Sequence, residues 1–560
     1  MMKQELLGMI DLLERMRDLK HLWLEDPTPD PFMDMALFLM RRHLTGQLVT
    51  PSSLAHAAKV PYTTATRRVT RMQEQGLLDL RPRTATGKSF SVHPSPKLIS
   101  KVTSFLIASK DAVEARPKVA GKGRVAEDAD LIPPPSVAPA SLVQGKPGFE
   151  GSLDILVPDD PVYSISKRLQ RELSYLMGGK LRFIEAPIDN LRSTMLENAT
   201  APQSRFDVAA VDLPMIAEFA HRGMLAPLDD VAAESNVVSA DFISAAWRGA
   251  IVDGQQYAIP ILINPQLLFY RKDLFAKAAV QAPVSTSQLL HLARKFHAPS
   301  KGRYGVSWTA ARGAPVGQAF IQFLADFGQP VFQLERSVGG YKTSRSENRP
   351  SIPTIDTDCG QATAHFMIEL LKVSPPNALN MTWDGQVDLM RKGQVAMAYE
   401  WAGRAAQLTG FAASGEMGFL PHPVGDVEND PRTRYAIAPV GGFAFGIPSN
   451  IDPARLTTAW AAIEWLSSPE VNKLLVQHSG HVTPRISVGS DPDVRRLSPV
   501  IAAVDRMAKR GQIRLWPRPP VMNYSSVVSI LGEEIHDMLS GHQSVSQALK
   551  RSQKRAEAVM

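Results

Sequence analysis

The sequence predicts a multidomain chain, a small mostly-α unit followed by a large α/β module. Three observations carry that expectation. At 560 residues the chain is too long for one core, so two to four domains are expected. Basic residues crowd one early stretch: positions 41–110 hold twelve Lys and Arg against two acidic residues, although the whole chain is only +7. Beyond a proline- and glycine-rich stretch, apolar strand-like runs alternate with amphipathic helical ones, as in layered α/β folds.

Composition excludes several classes. A 44% hydrophobic and 21% charged content is ordinary for globular protein, so most of the chain should fold. The single cysteine, Cys359, rules out an internal disulfide framework and a cysteine-rich zinc site. The thirteen histidines show no HxxxH or HxH spacing, so no metal centre and no cofactor are expected. Charges at Lys3, Glu5, Asp11, Glu14, Arg15, Arg17, Asp18 and Lys20 interrupt any export leader or membrane span in the first thirty residues, which leads to the expectation of a cytoplasmic protein.

Taken in order, Met9, Leu12, Met16, Leu19 and Trp23 recur at spacings of three and four, a helix whose apolar seam suits either a dimer or its own domain. DPTPDP breaks it at Asp26–Pro31, and a buried helix is expected over about Phe32–Leu44. Thr50 is a plausible N-cap with Pro51 in the first turn of the next helix. After a tight turn near Lys59–Pro61 comes a helix with Ala65, Val69 and Met72 facing inward. Thr64, Thr66, Arg67, Arg68 and Arg71 are left to face outward, and this pair of helices reads as a helix-turn-helix. LLDLRPR and SFSVH form a hairpin around TATGK, placing Arg83 and Lys88 on a wing. A last helix is expected at about Pro96–Ser109. Arginine forks and threonine hydroxyls suit contacts to phosphate and base edges, so these seven residues are the candidate DNA-binding set; a solvated basic face is the plainer reading.

This order of elements resembles the MarR-like winged helix-turn-helix regulators over roughly residues 5–110, most specifically in TATRRVTRMQEQGLLDL. The resemblance implies double-stranded DNA as a partner and a homodimer built from the terminal helices. Residues 111–150, with Pro133–Pro135 and Pro139, read as a tether.

From residue 151 onward, the strands GSLDILVPD, LRFIEA and FDVAAVD alternate with helices. The ordered series FDVAAVD…RGMLAPLDD, QQYAIPILINPQLLFYRKDLF, TWDGQVDLMRKGQVAMAYEW, MGFLPHPVG, GGFAFGIPSN and HVTPR resembles family 1 extracellular solute-binding proteins, the sugar-binding type that serves ABC transporters. It implies a two-lobed periplasmic-binding-protein-like fold of type II with a ligand cleft, and hinge crossings near Pro260–Pro265 and Ala438–Phe445. Sugar sites combine stacking aromatics with charged or amide partners. By family position Trp308, Trp383 and Trp401 are candidates, each of which has core packing as its alternative. Glu400 and Arg404 flank Trp401, and Gly441–Gly442 match the glycine pair at the cleft floor. Asp159 and Asp212 end strands, with helix capping the alternative for Asp212. Arg485 follows the HVTPR turn, where a surface salt bridge is as plausible.

The resemblance also brings in at least one enzymatic relative of the fold, the thiaminase type that uses a cysteine nucleophile. Cys359 has no evident base partner, so no catalysis is expected. Joined together, the two resemblances lead to the expectation of a cytoplasmic, dimeric transcription regulator. Its N-terminal DNA-binding unit (1–110) would be controlled by carbohydrate or a related small polar solute in the cleft of residues 151–560. The alternative is a solute-binding component of an ABC transport system with an N-terminal interaction domain.

Overall fold

The computed structural model describes residue 10, residues 31–114 except 46, 59 and 83–89, and residues 148–560 except 150, 161–162, 338–339, 344–350, 409–415 and 426–435. The expected helix through Met9–Trp23, Arg83 and Lys88 of the hairpin tip, and most of the tether lie outside these residues. The chain divides into two compact units, Met1–Ala129 and Asp130–Met560.

In the first unit, α1 (Pro31–Thr45), α2 (Pro51–Ala57) and α3 (Tyr62–Glu74) lead into the antiparallel pair β1 (Leu78–Pro82) and β2 (Phe90–Pro94), then α4 (Pro96–Glu114). Thr50 caps α2 reciprocally: its hydroxyl accepts from the Ser53 amide at 3.2 Å, and Ser53 Oγ accepts from the Thr50 amide at 2.9 Å. Thr50→Ala should therefore lower the stability of this unit by about 0.5–2 kcal/mol, read as a lower urea midpoint for its unfolding. Ala65, Val69 and Met72 of α3 are buried. They join Met35, Leu39, Leu54 and Leu106 in one core, while Thr64, Thr66, Arg67, Arg68 and Arg71 are exposed. Gly76 ends α3 with φ +67°, a left-handed turn that costs glycine little. Helix α4 runs five residues past the expected Ser109, to Glu114, into what the sequence reading gave to the tether.

The second unit holds two sheets. The first is built from β3 (Ser152–Asp159), β4 (Lys180–Pro187), β5 (Val208–Asp212), β6 (Ala258–Ile263) and a later strand, β12 (Gly442–Gly446). Its order is β4-β3-β5-β12-β6, with β3 parallel to β4 and β5, and β12 antiparallel to β5 and β6. The second sheet has the order β8-β9-β7-β10, from β7 (Gln266–Arg271), β8 (Tyr304–Ser307), β9 (Val395–Trp401) and β10 (Met417–Leu420). Strand β9, internal to its sheet, is buried at every position, as expected of a strand covered on both faces, and the edge strand β6 is buried throughout as well.

The chain passes between the sheets three times. It crosses at Asn264–Pro265 between β6 and β7, and again between β10 and β12. The last passage follows β13 (Ile513–Arg514), which pairs in parallel with β11 (Ala438–Pro439). The helices that bear on the cleft are α5 (Leu191–Ala199), α6 (Ala314–Asp326), α7 (Trp383–Arg391) and α8 (Tyr524–Leu539). Among the described residues, no helix is long and apolar enough to cross a membrane.

Candidate ligand-binding cleft

Strand ends and loops of both lobes converge on a cavity of about 270 Å³. From the first sheet come Asp160, just past β3, Asp212 at the end of β5, and Gly441–Gly442 leading into β12. From the second lobe come Trp383 at the start of α7, Trp401 at the end of β9, Arg404 in the following 3-10 turn, and Tyr524, Ser525 and Ser529 on α8. Asn264 sits at the first crossing; its backbone amide donates to Gly441 O and its side-chain oxygen accepts from the Gly403 amide, both at 2.7 Å. The glycine pair is required sterically. A Cβ on Gly441 would lie 2.6 Å from the Trp401 ring, and one on Gly442, at φ +135°, would meet Leu262 O at 2.1 Å.

Arg518 is the cleft's central cation and is 3% exposed. It donates to Asp212 Oδ2 and to Val440 O, each at 3.0 Å, and its guanidinium lies 5.2 Å from the Trp401 ring centroid. Burial works against its charge, yet Asp212 and Tyr524 together hold its pKa above the usual arginine value. Burial likewise pushes the Asp212 carboxyl up, against the pull of Arg518. Burial pushes the Tyr524 hydroxyl up, against the pull of Arg518 beside it. Arg404 donates to Asp384 Oδ1 at 2.8 Å and pairs with Asp160 Oδ2 at 3.2 Å.

Of the residues expected from sequence, Asp212, Trp383, Trp401, Arg404, Gly441 and Gly442 line this cavity, and four others do not. Trp308 is packed in the second lobe's core, 1% exposed, its ring N–H donating to Ser374 Oγ at 3.1 Å. Asp159 is exposed at the end of β3, and its neighbour Asp160 takes the place expected for it. Glu400 is fully buried beside the cleft: Oε1 accepts from the Trp401 amide at 2.7 Å, Oε2 has no partner, and burial pushes its carboxyl up to about 8. Arg485 lines a separate cavity of about 400 Å³ in the first lobe, where it pairs with Asp241 at 2.8 Å and stacks 4.3 Å over Phe242. Its salt bridge is therefore internal rather than at the surface.

Sequence reasoning missed Asp160, Arg192, Asn264, Gln318, Arg518 and Tyr524. The usable signal for Arg518 was an arginine between prolines in an apolar run, LWPRPP. Cys359 is buried, its thiol donates to Phe327 O at 3.5 Å, and burial raises its pKa, the opposite of an activated nucleophile. No group of side chains able to hold a metal occurs among the described residues.

Residues 178–473, more than half of the chain, match the model described as bacterial extracellular solute-binding protein, and the chain belongs to that family. It is similar to the mannitol-binding protein of Pseudomonas aeruginosa, at 23% identity over 318 residues, covering 54% of this chain and 65% of that one. The chain thus spans just under two thirds of that relative's length. An uncharacterized ABC transporter extracellular-binding protein of Pyrococcus horikoshii is 22% identical over 358 residues, 62% of this chain and 72% of its own. Among solved structures, a solute-binding protein of Agrobacterium radiobacter K84 in complex with ribitol aligns with TM-score 0.64 at 22% identity, over 73% of this chain and 99% of that one. One from Agrobacterium vitis S4 with bound D-mannitol aligns with TM-score 0.59 at 20% identity, over 73% and 97%. These likenesses show the two-lobed periplasmic-binding-protein-like fold.

They also correct the functional expectation. The family is described as extracellular solute-binding proteins, and relatives of Escherichia coli and Pyrococcus horikoshii are named as periplasmic and extracellular ABC transporter binding proteins, which conflicts with a DNA-binding transcription regulator and with a cytoplasmic location. The expectation rested on an exposed basic helix and on charges near the N-terminus. Exposed arginines on a small unit are equally a solvated face, and charge on its own does not name a partner.

Proposed function

We propose that the chain is the solute-binding component of an ABC transport system and that its cleft takes a small, neutral, polyhydroxylated solute, a polyol or sugar. The observation that carries this reading is the cavity between the two lobes. There two tryptophans offer flat apolar faces, and strand-end carboxylates and guanidiniums offer hydrogen bonds around them. The relative named for mannitol and the neighbours bound to ribitol and D-mannitol support the same ligand class. In this reading Asp160, Asp212, Trp383, Trp401, Arg404, Arg518 and the backbone at Gly441–Gly442 are the ligand-binding set. Glu400 supports Trp401 from behind.

Residues 1–110, 111–150 and 151–560 are read as an interaction domain, a tether and the binding module. The order of elements in the first is similar to a winged helix-turn-helix fold.

Trp401→Ala tests the site. Removal of the ring should weaken binding of the preferred polyol by roughly tenfold to a hundredfold, ~1.4–2.8 kcal/mol, read by calorimetric titration. It should also reduce any ligand-induced shift in tryptophan emission that the parent chain shows, with Trp383 left as the remaining ring in the cleft. Parental affinity in a folded variant would place the ligand elsewhere.

A further inference from the structure

The charges of the cleft are balanced. Three guanidiniums and three carboxylates line the cavity: Arg192, Arg404 and Arg518 with Asp160, Asp189 and Asp212. Asp160 and Asp212 follow strands of the first sheet. Their partners lie outside that sheet: Arg404 follows β9 of the second sheet, and Arg518 lies on the last crossing into α8. Arg192 is occupied by Glu218, through Nε at 3.1 Å and through Nη2. Each cleft cation thus already has a carboxylate, and the Arg518–Asp212 pair is deeply placed, with side chains 3% and 18% exposed.

An anionic solute would gain little here. To reach Arg518 or Arg404 it must displace, or sit beside, a carboxylate of like charge, which costs more in a site shielded from water than at a surface. A neutral polyol meets no such penalty. Its hydroxyls can donate to carboxylate oxygens and accept from guanidinium N–H groups while the ion pairs stay intact.

We infer that Asp160 and Asp212 set the specificity of the cleft for uncharged polyhydroxylated solutes, by holding Arg404 and Arg518 neutralised against the carboxylate analogues of those solutes. This inference rests on the polyol reading of the cleft. It makes specificity a property of two acids that face two arginines, rather than of the number of hydroxyl contacts.

The corresponding amides keep shape and remove charge. In Asp212→Asn the buried Arg518 loses its counter-ion, and a ligand carboxylate becomes the group best able to replace it. Asp160→Asn should act in the same direction but less, because Arg404 keeps Asp384 at 2.8 Å.

The test is calorimetric titration of the full chain and both variants with D-mannitol and with D-mannonate, its C1 carboxylate analogue, at two salt concentrations. The parent should prefer mannitol by at least tenfold. The ratio should move toward mannonate by roughly tenfold or more in Asp212→Asn, with mannonate affinity that falls as salt rises. A smaller shift is expected in Asp160→Asn, which keeps the proposal testable if the buried Asp212 variant does not fold. A parent that binds both ligands equally would overturn the inference, as would folded variants that lose both affinities in proportion. A parent that binds no neutral polyol would sink the reading of the cleft, and this inference with it. Mannitol binding with an unchanged ratio would sink the inference alone.

Discussion

Replacing Arg518 with methionine is expected to destabilise the larger unit by about 3–5 kcal/mol and to abolish polyol binding. The size of the effect follows from how many segments one side chain joins. Its guanidinium donates to Asp212 at the end of β5 and to Val440 O before β12, and it lies against Trp401 at the end of β9. Asp212 and Trp401 line the cleft, and Val440 directly precedes its glycine pair. Without the cation, Asp212 keeps a desolvated carboxylate with no counter-charge, and Val440 O loses a donor. Asp212 already has its pKa raised by burial, so protonation relieves part of the loss at acid pH. The destabilisation should therefore be smaller near pH 5 than near pH 8. Urea unfolding followed through the larger unit's transition reads the effect. The double variant Asp212→Leu/Arg518→Met separates stability from function, since removal of both charges should restore much of the stability without restoring binding. A single variant as stable as the parent at pH 8 would mean that the pair contributes nothing to the fold.

The second large effect is a pH dependence set by Glu400. Its folded pKa of about 8 lies above the ordinary 4.5, with burial as the leading cause and the Trp401 amide opposing it. The folded chain therefore holds a proton that the unfolded chain gives up between those values. Stability from this group is fully present at acid pH and is lost as pH rises through that window. Between pH 5 and pH 9 the loss should be roughly 4 kcal/mol. Glu400→Gln mimics the protonated carboxyl and cannot ionise. It should match the parent near pH 5, exceed it at pH 9, and remove the slope attributable to this site. His481, held down to about 4 by burial, works in the opposite sense below pH 6.5, so the comparison with the variant is what isolates Glu400. Parallel stability–pH curves for parent and variant would show that Glu400 stays ionised in the folded chain.

How far the sequence could be read depended on whether the relevant partner was local. The inward face of α3 was legible because Ala65, Val69 and Met72 follow a helical period. The cap at Thr50 was legible because both of its hydrogen bonds join residues three apart. The two-lobed fold was legible from an ordered series of motifs, with the hinge at Asn264–Pro265 where expected. Single positions fared worse. At the end of β3 two consecutive aspartates compete for one role, and the pleat turns Asp159 to solvent, leaving Asp160 for the cleft. Trp308 was misplaced because the hydroxyl that satisfies its ring N–H, Ser374, is 66 residues away. Arg518 escaped notice for a similar reason, since its partner Asp212 is separated from it by 306 positions. The end of α4 was set too early, although LysAspAlaValGlu at 110–114 contains no breaker and the first proline follows at Pro117. The function was misread at the step from charge to partner.

Calorimetric titration of the full chain with ribitol, D-mannitol and maltose tests the central claim most directly. A neutral solute held between the two lobes predicts saturable binding of at least one of them, near one solute per chain. That binding should be weakened by Trp401→Ala and abolished by Arg518→Met. Absence of binding by all three at millimolar concentration, in a chain shown to be folded, would contradict it.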